Sequence, residues 1–112
     1  MATFEAMTDR IYDQLSALEF ALIVLGRGSC QDCTQYHGEL RQWVAGGDGP
    51  GQLRVLTLNL DSPLGQDFKD DHEWVRHIDT IPYNALMVKG VVVKNWSGGT
   101  IQRLMNRLDK VV

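Results

Sequence analysis

The sequence predicts a layered α/β domain: a central mixed sheet of about four strands, flanked by helices on both faces, with an N-terminal helix. Three observations carry that prediction. Helical and extended hydrophobic patterns alternate along the chain, as they do when helices cover both faces of a sheet. A wholly apolar run, Phe20 to Leu25, ends in the glycine-rich stretch Gly26-Arg27-Gly28-Ser29. A single Cys-x-x-C pair, Cys30 and Cys33, follows that run and opens a segment of helical periodicity.

The elements follow in order. Phe4, Met7, Ile11, Leu15 and Leu18 recur at intervals of three and four, which predicts an amphipathic helix over Thr3 to Leu18. Phe20 to Leu25 reads as a strand buried on both faces. Cys33, His37, Leu40 and Val44 share one helical face, with Tyr36 and Trp43 beside it, and Ser29 is placed to cap that helix ahead of Cys30. Gly46 to Gly51 is a loop by composition. Leu53 to Leu60 alternates and reads as a strand, which Ser62-Pro63-Leu64-Gly65 breaks. Phe68, His72, Val75 and Ile78 form a weaker helical face. Tyr83 to Lys89 is a second apolar strand, and Lys89-Gly90 turns tightly into Val91 to Lys94 as an antiparallel hairpin. Ser97-Gly98-Gly99-Thr100 opens a last helix with Ile101, Leu104, Met105, Leu108 and Val112 on one face. Neither repeat nor linker interrupts the order, so residues 1–112 are expected to form one domain.

Composition narrows the function classes. The chain has 112 residues, 44% of them hydrophobic and 22% charged, with a net charge of -3. That suits a folded globular domain and argues against general disorder. Nucleic acid would call for a basic patch or stripe, which is absent from the sequence. The longest apolar run is far short of the roughly 20 residues of a membrane span, and no basic segment precedes it as in a secretory signal. Cytoplasmic residence, without membrane association, is the expectation.

Two cysteines separated by two residues close too small a loop to staple a fold. In a reducing compartment such a pair serves redox or metal chemistry more often than architecture. At a helix start, unpaired N–H groups and the positive end of the dipole stabilise a thiolate at Cys30. Cys33, one turn inward, is shielded and suited to resolve a mixed disulfide. An inert pair is the bland alternative, and a metal site would need two further ligands. His37 lies four residues past Cys33; a lone helical histidine is ordinarily a surface or half-buried side chain.

Taken together, these segments resemble the thioredoxin family. The resemblance rests on the apolar strand before the dithiol, Cys30-Gln31-Asp32-Cys33 itself, Val55-Leu56-Thr57-Leu58-Asn59-Leu60-Asp61, the Ile81-Pro82 pair opening the next strand, and Gly98-Gly99 before the final helix. It implies a thioredoxin fold, a cis Pro82 facing the dithiol, and Ile81 offering backbone groups to an extended polypeptide. It also implies a substrate groove to which Ser29, Tyr83, Trp96 and Gly98 would contribute. For Tyr83 and Trp96 the competing reading is packing in the sheet layer and at a strand end.

The site departs from the family pattern. Ser29 stands where thioredoxins carry tryptophan, and Gln31-Asp32 replaces Gly-Pro. The family's buried aspartate and its companion lysine, assigned to proton handling at the second cysteine, correspond to Val24 and Thr57. Asp32 and His37 are the candidates to take over that task. A carboxylate at Asp32 opposes a thiolate at Cys30 while the helix terminus favours it, so Cys30 is expected to titrate near or above about 7. That implies a reducing couple, and a potential above about -180 mV would contradict it.

The resulting expectation is a thiol–disulfide oxidoreductase acting through Cys30 and Cys33, supported by Pro82, Asp32 and Ile81. Its partners would be a disulfide-containing protein substrate and an upstream reductant; it would use no cofactor or metal and act as a monomer. The alternative is a non-catalytic binding or assembly domain with a vestigial or regulatory cysteine pair. A glutathione-dependent, glutaredoxin-like enzyme is disfavoured by the N-terminal helix and the lack of a basic anchor.

Overall fold

The computed structural model describes residues 2–111. Five strands form one sheet: β1 (Thr3–Ala6), β2 (Phe20–Gly26), β3 (Arg54–Asn59), β4 (Tyr83–Val88) and β5 (Val91–Ser97), in the spatial order β1-β3-β2-β4-β5. β1 and β2 run parallel to β3, whereas β4 is antiparallel to both β2 and β5. The helices are α1 (Asp9–Asp13), α2 (Gln31–Ala45), α3 (Pro63–Asp71) and α4 (Ile101–Asp109), with short 3₁₀ turns at Leu15–Ala17 and Glu73–His77.

The apolar run of β2 is explained by its central place. Phe20, Leu22 and Val24 pack with Tyr36, Leu40, Leu104 and Leu108 beneath α2 and α4. Ala21, Ile23 and Leu25 face the other way, against Met7, Leu15 and Phe68. A strand with successive side chains on opposite faces can be apolar throughout only when both faces are covered. Fully burying one such aliphatic side chain contributes roughly 1.5–3 kcal/mol.

The N-terminal segment corrects the expectation of a helix over Thr3 to Leu18. It is instead β1, the short α1 and a 3₁₀ turn. Ala2 and Phe4 pack on the α2/α4 face of the sheet, whereas Met7, Ile11, Tyr12, Leu15 and Leu18 serve the opposite face. One helix cannot put a single stripe on both sides of a sheet. Thr8 marks the change, its hydroxyl accepting from the Ile11 N–H at 3.2 Å as the α1 cap. A long N-terminal helix therefore no longer separates this chain from the glutaredoxins.

Two further boundaries move. Ser62-Pro63 starts α3: the Ser62 hydroxyl accepts from the Gly65 N–H at 3.0 Å and Pro63 takes the first turn. The weaker helical face expected over Phe68 to Ile78 divides at His72, where the backbone turns extended and the ring stacks on Phe68 at 4.2 Å. The hairpin turn stands as expected. Lys89 and Gly90 have φ of 51° and 83°, the pair of left-handed residues that matches strand twist in a two-residue loop. The final helix begins at Ile101, capped by Thr100; its expected last contact, Val112, lies outside the described residues.

Candidate functional site

β2 delivers the chain to the site and α2 holds it there. Cys30 and Cys33 form a disulfide with their Cα atoms 5.2 Å apart. Ser29 is not the cap, as the sequence suggested; it is exposed and lies one residue outside the motif. Cys30 itself occupies the cap, and its Sγ accepts from the Cys33 N–H at 3.1 Å. The sulfur thus satisfies one of the donors that a helix start leaves unpaired. Cys30 is half-buried, whereas Cys33 is only 1% exposed. Asp32 lies in the first turn with its side chain in solvent.

In the sequence Gly26 looks like no more than a strand breaker. A Cβ on Gly26 would fall 2.8 Å from Cys33 Sγ and 3.2 Å from its Cβ. Real Cβ atoms do not approach so closely, so the bare backbone of β2 is what lets the inner sulfur seat itself.

α2 also meets the loop that carries Pro82. The Ile81–Pro82 bond is cis, as the resemblance implied. Gly99 lies between Pro82 and Tyr36 of α2; a Cβ there would fall 2.9 Å from Pro82 Cγ and 2.8 Å from Tyr36 Cγ. The loop is thereby packed directly on the helix that carries the dithiol. Asn84, fully buried, ties the same parts together. The Tyr36 hydroxyl donates to Asn84 Oδ1 at 2.7 Å, and Asn84 Nδ2 donates to the carbonyls of Gly98 at 2.8 Å and Trp96 at 3.3 Å. Burial, with Glu39 adding to it, pushes the Tyr36 phenol above its ordinary range and keeps it a donor. The sequence patterns above leave Asn84 unmarked. Its one signal is that of a polar side chain inside an otherwise apolar strand.

Ile81, Tyr83, Trp96 and Gly98 take the following places. Tyr83 and Ile81 pack on the α1/α3 face of the sheet, opposite α2. The Tyr83 hydroxyl donates to Asn95 Oδ1 at 2.6 Å. Trp96 takes the packing alternative: it is buried in the core under α4, with the Arg107 guanidinium 5.6 Å from its ring centroid. Gly98 has φ of 101°, its N–H donates to the Pro82 carbonyl at 2.9 Å, and its own carbonyl is taken by Asn84. Both of its backbone groups hold the loop together.

Behind the inner sulfur lies a cavity of about 540 Å³, lined among others by Cys33, Thr34, His37, Thr57 and Asn59, with Asp9 at its margin. Val24 and Thr57 are register partners on β2 and β3. The positions matched to the family's charged pair are therefore side by side, and they hold a buried valine and a threonine. His37 is half-buried, and its Nε2 is buried without a protein hydrogen-bond partner. Burial and the charge of Arg41 lower its pKa below the ordinary 6.5.

No family model and no curated protein matches the sequence. Solved structures do match, over nearly its full length. Oxidised thioredoxin from Plasmodium falciparum superposes with a TM-score of 0.72 at 11% identity, covering 99% of this chain and 98% of that one. The chain has a thioredoxin fold. A poplar thioredoxin h gives 0.71 at 16% identity, with 97% of this chain and 95% of that one covered. A redox protein from Chlamydomonas reinhardtii gives 0.76 at 13% identity over 99% of this chain and 36% of that one. Within this thioredoxin fold the Cys pair is intact and disulfide-bonded, an arrangement consistent with thiol–disulfide exchange.

Proposed function

We propose that the protein is a thiol–disulfide oxidoreductase that reduces or exchanges disulfides of protein substrates. The observation that carries this reading is the asymmetry of the pair: a half-buried Cys30 at the start of a fifteen-residue helix, bonded to a Cys33 that is 1% exposed. In the reduced protein the helix start favours the Cys30 thiolate. That thiolate attacks a substrate sulfur, breaks the substrate disulfide and releases one thiolate, leaving a mixed disulfide at Cys30. Cys33 then attacks Cys30 Sγ, closes the intramolecular disulfide and releases the second substrate thiolate. Two electrons pass from the dithiol to the substrate. An upstream thiol or reductase returns them, and the reducing cytoplasm is the compartment that suits this direction.

Insulin reduction driven by dithiothreitol tests the reading. Turnover by the wild type and none above background by Cys30→Ser is the expected result; equal rates for the two would overturn it. The second reading, a binding domain that has kept the fold, draws on Ser29, Val24 and Thr57 in place of the family's tryptophan, aspartate and lysine. Equal rates would favour it.

A further inference from the structure

The reaction above needs a proton removed from Cys33, and the position matched to the family's buried carboxylate holds Val24. We infer that His37, across the cavity behind the disulfide, accepts the Cys33 proton when that thiol resolves the mixed disulfide. This rests on the oxidoreductase reading.

Three observations converge on His37. It stands four residues after Cys33 on α2, so the two side chains share a helix face with Cβ atoms roughly 5–6 Å apart. Both line one cavity of about 540 Å³, whose wall also carries Thr34 and Thr57. That space admits water, and the threonine hydroxyls give a relay water partners. Finally, His37 Nε2 is buried and has no protein partner. A buried ring nitrogen is ordinarily paired, and no hydrogen bond to the protein holds this one.

The surroundings keep the imidazole neutral. Phe4 of β1 meets the ring edge-on, with centroids 6.4 Å apart, and the Arg41 guanidinium lies 5.1 Å from the Phe4 ring centroid. Asp9 and Arg27 are the charged groups at the cavity margin from the other elements. Burial and Arg41 both oppose the imidazolium, so at neutral pH the ring is available as a base. Proton transfer accompanies sulfur attack: as the Cys33–Cys30 bond forms and the Cys30–substrate bond breaks, the Cys33 proton passes to His37 and the substrate leaves as thiolate. The imidazolium then gives its proton to solvent. When the protein is reduced again, the transfer runs backward and returns a proton to Cys33.

An aromatic disulfide with a coloured leaving thiolate, 5,5′-dithiobis(2-nitrobenzoate), separates the two steps. Attack by Cys30 releases the first equivalent; attack by Cys33 releases the second. In the wild type the second phase should rise through an inflection below pH 6.5 that coincides with the NMR titration of His37. In His37→Gln the first phase should persist. The inflection should vanish and the second phase should slow about a hundredfold at pH 7, the lower end of what a positioned base contributes. Asp9→Asn should keep the inflection. A second phase in His37→Gln with wild-type rate and profile overturns the inference and leaves the oxidoreductase reading intact. A wild-type midpoint that departs from the His37 titration overturns it also, whether or not the variant folds. Absence of both phases in the wild type overturns the oxidoreductase reading itself.

Discussion

The two flanks of α2 are finished differently. Toward Pro82, the buried polar groups of Tyr36 and Asn84 are paired with each other and with the carbonyls of Trp96 and Gly98. Toward β1, α2 borders a cavity, and the His37 Nε2 makes no hydrogen bond to the protein. A closed network fixes geometry because leaving any member unpaired is costly. An open cavity with an unpaired base fixes little and leaves room for a proton to move. The dithiol sits where the two meet, its outer sulfur capping the helix and its inner sulfur against Gly26.

The largest effect should come from breaking the closed flank. Asn84→Leu keeps approximate volume but strands the Tyr36 hydroxyl and two carbonyls, each at about 1–3 kcal/mol. A loss of about 4 kcal/mol in urea unfolding is expected. A loss below about 1 kcal/mol would show that the network does not hold the loop to the helix. A smaller effect should follow at the junction. Gly26→Ala forces a methyl against Cys33 Sγ and should cost about 2 kcal/mol, the range for overpacking. Equal stability of Gly26→Ala and wild type, measured with the disulfide intact, would mean that β2 yields easily.

The smallest effect belongs to the open flank. The folded pKa of His37 is lowered from 6.5, so below that value the unfolded chain takes up a proton that the folded chain resists. The stabilisation is complete above about pH 6.5 and is lost as the pH falls toward the lowered folded value. Urea midpoints between about pH 7.5 and 5 should fall more steeply for the wild type than for His37→Gln. Parallel slopes would show that the ring titrates as it does in the unfolded chain.

What the sequence disclosed follows the same division between local and assembled features. β2 was legible because six consecutive apolar residues between Glu19 and the glycine-rich stretch from Gly26 suit a strand covered on both faces. The dithiol was legible because its place, at a strand-to-helix junction, is written in adjacent residues. The N-terminal segment was not: Phe4, Met7, Ile11 and Leu15 fit a helical period by accident of serving two different faces. Ser62-Pro63 carried a helix start that looked like a strand end, since both readings use the same residues. Trp96 and Tyr83 could not be assigned to a groove or to the core by residue type, because only the sheet's alternation decides which way they point. The importance of Gly26 emerges only when β2 and α2 are placed together.

One consequence concerns synthesis. Among the described residues β1 pairs only with β3, Thr3 opposite Arg54. On the ribosome β1 is therefore made roughly fifty residues before its partner exists, a wait on the order of seconds at ordinary elongation rates. β1 can therefore be placed only after β3, although it precedes β2 and β3 in the chain. Until β3 emerges and docks beside β2, the N-terminal segment has no sheet edge to join.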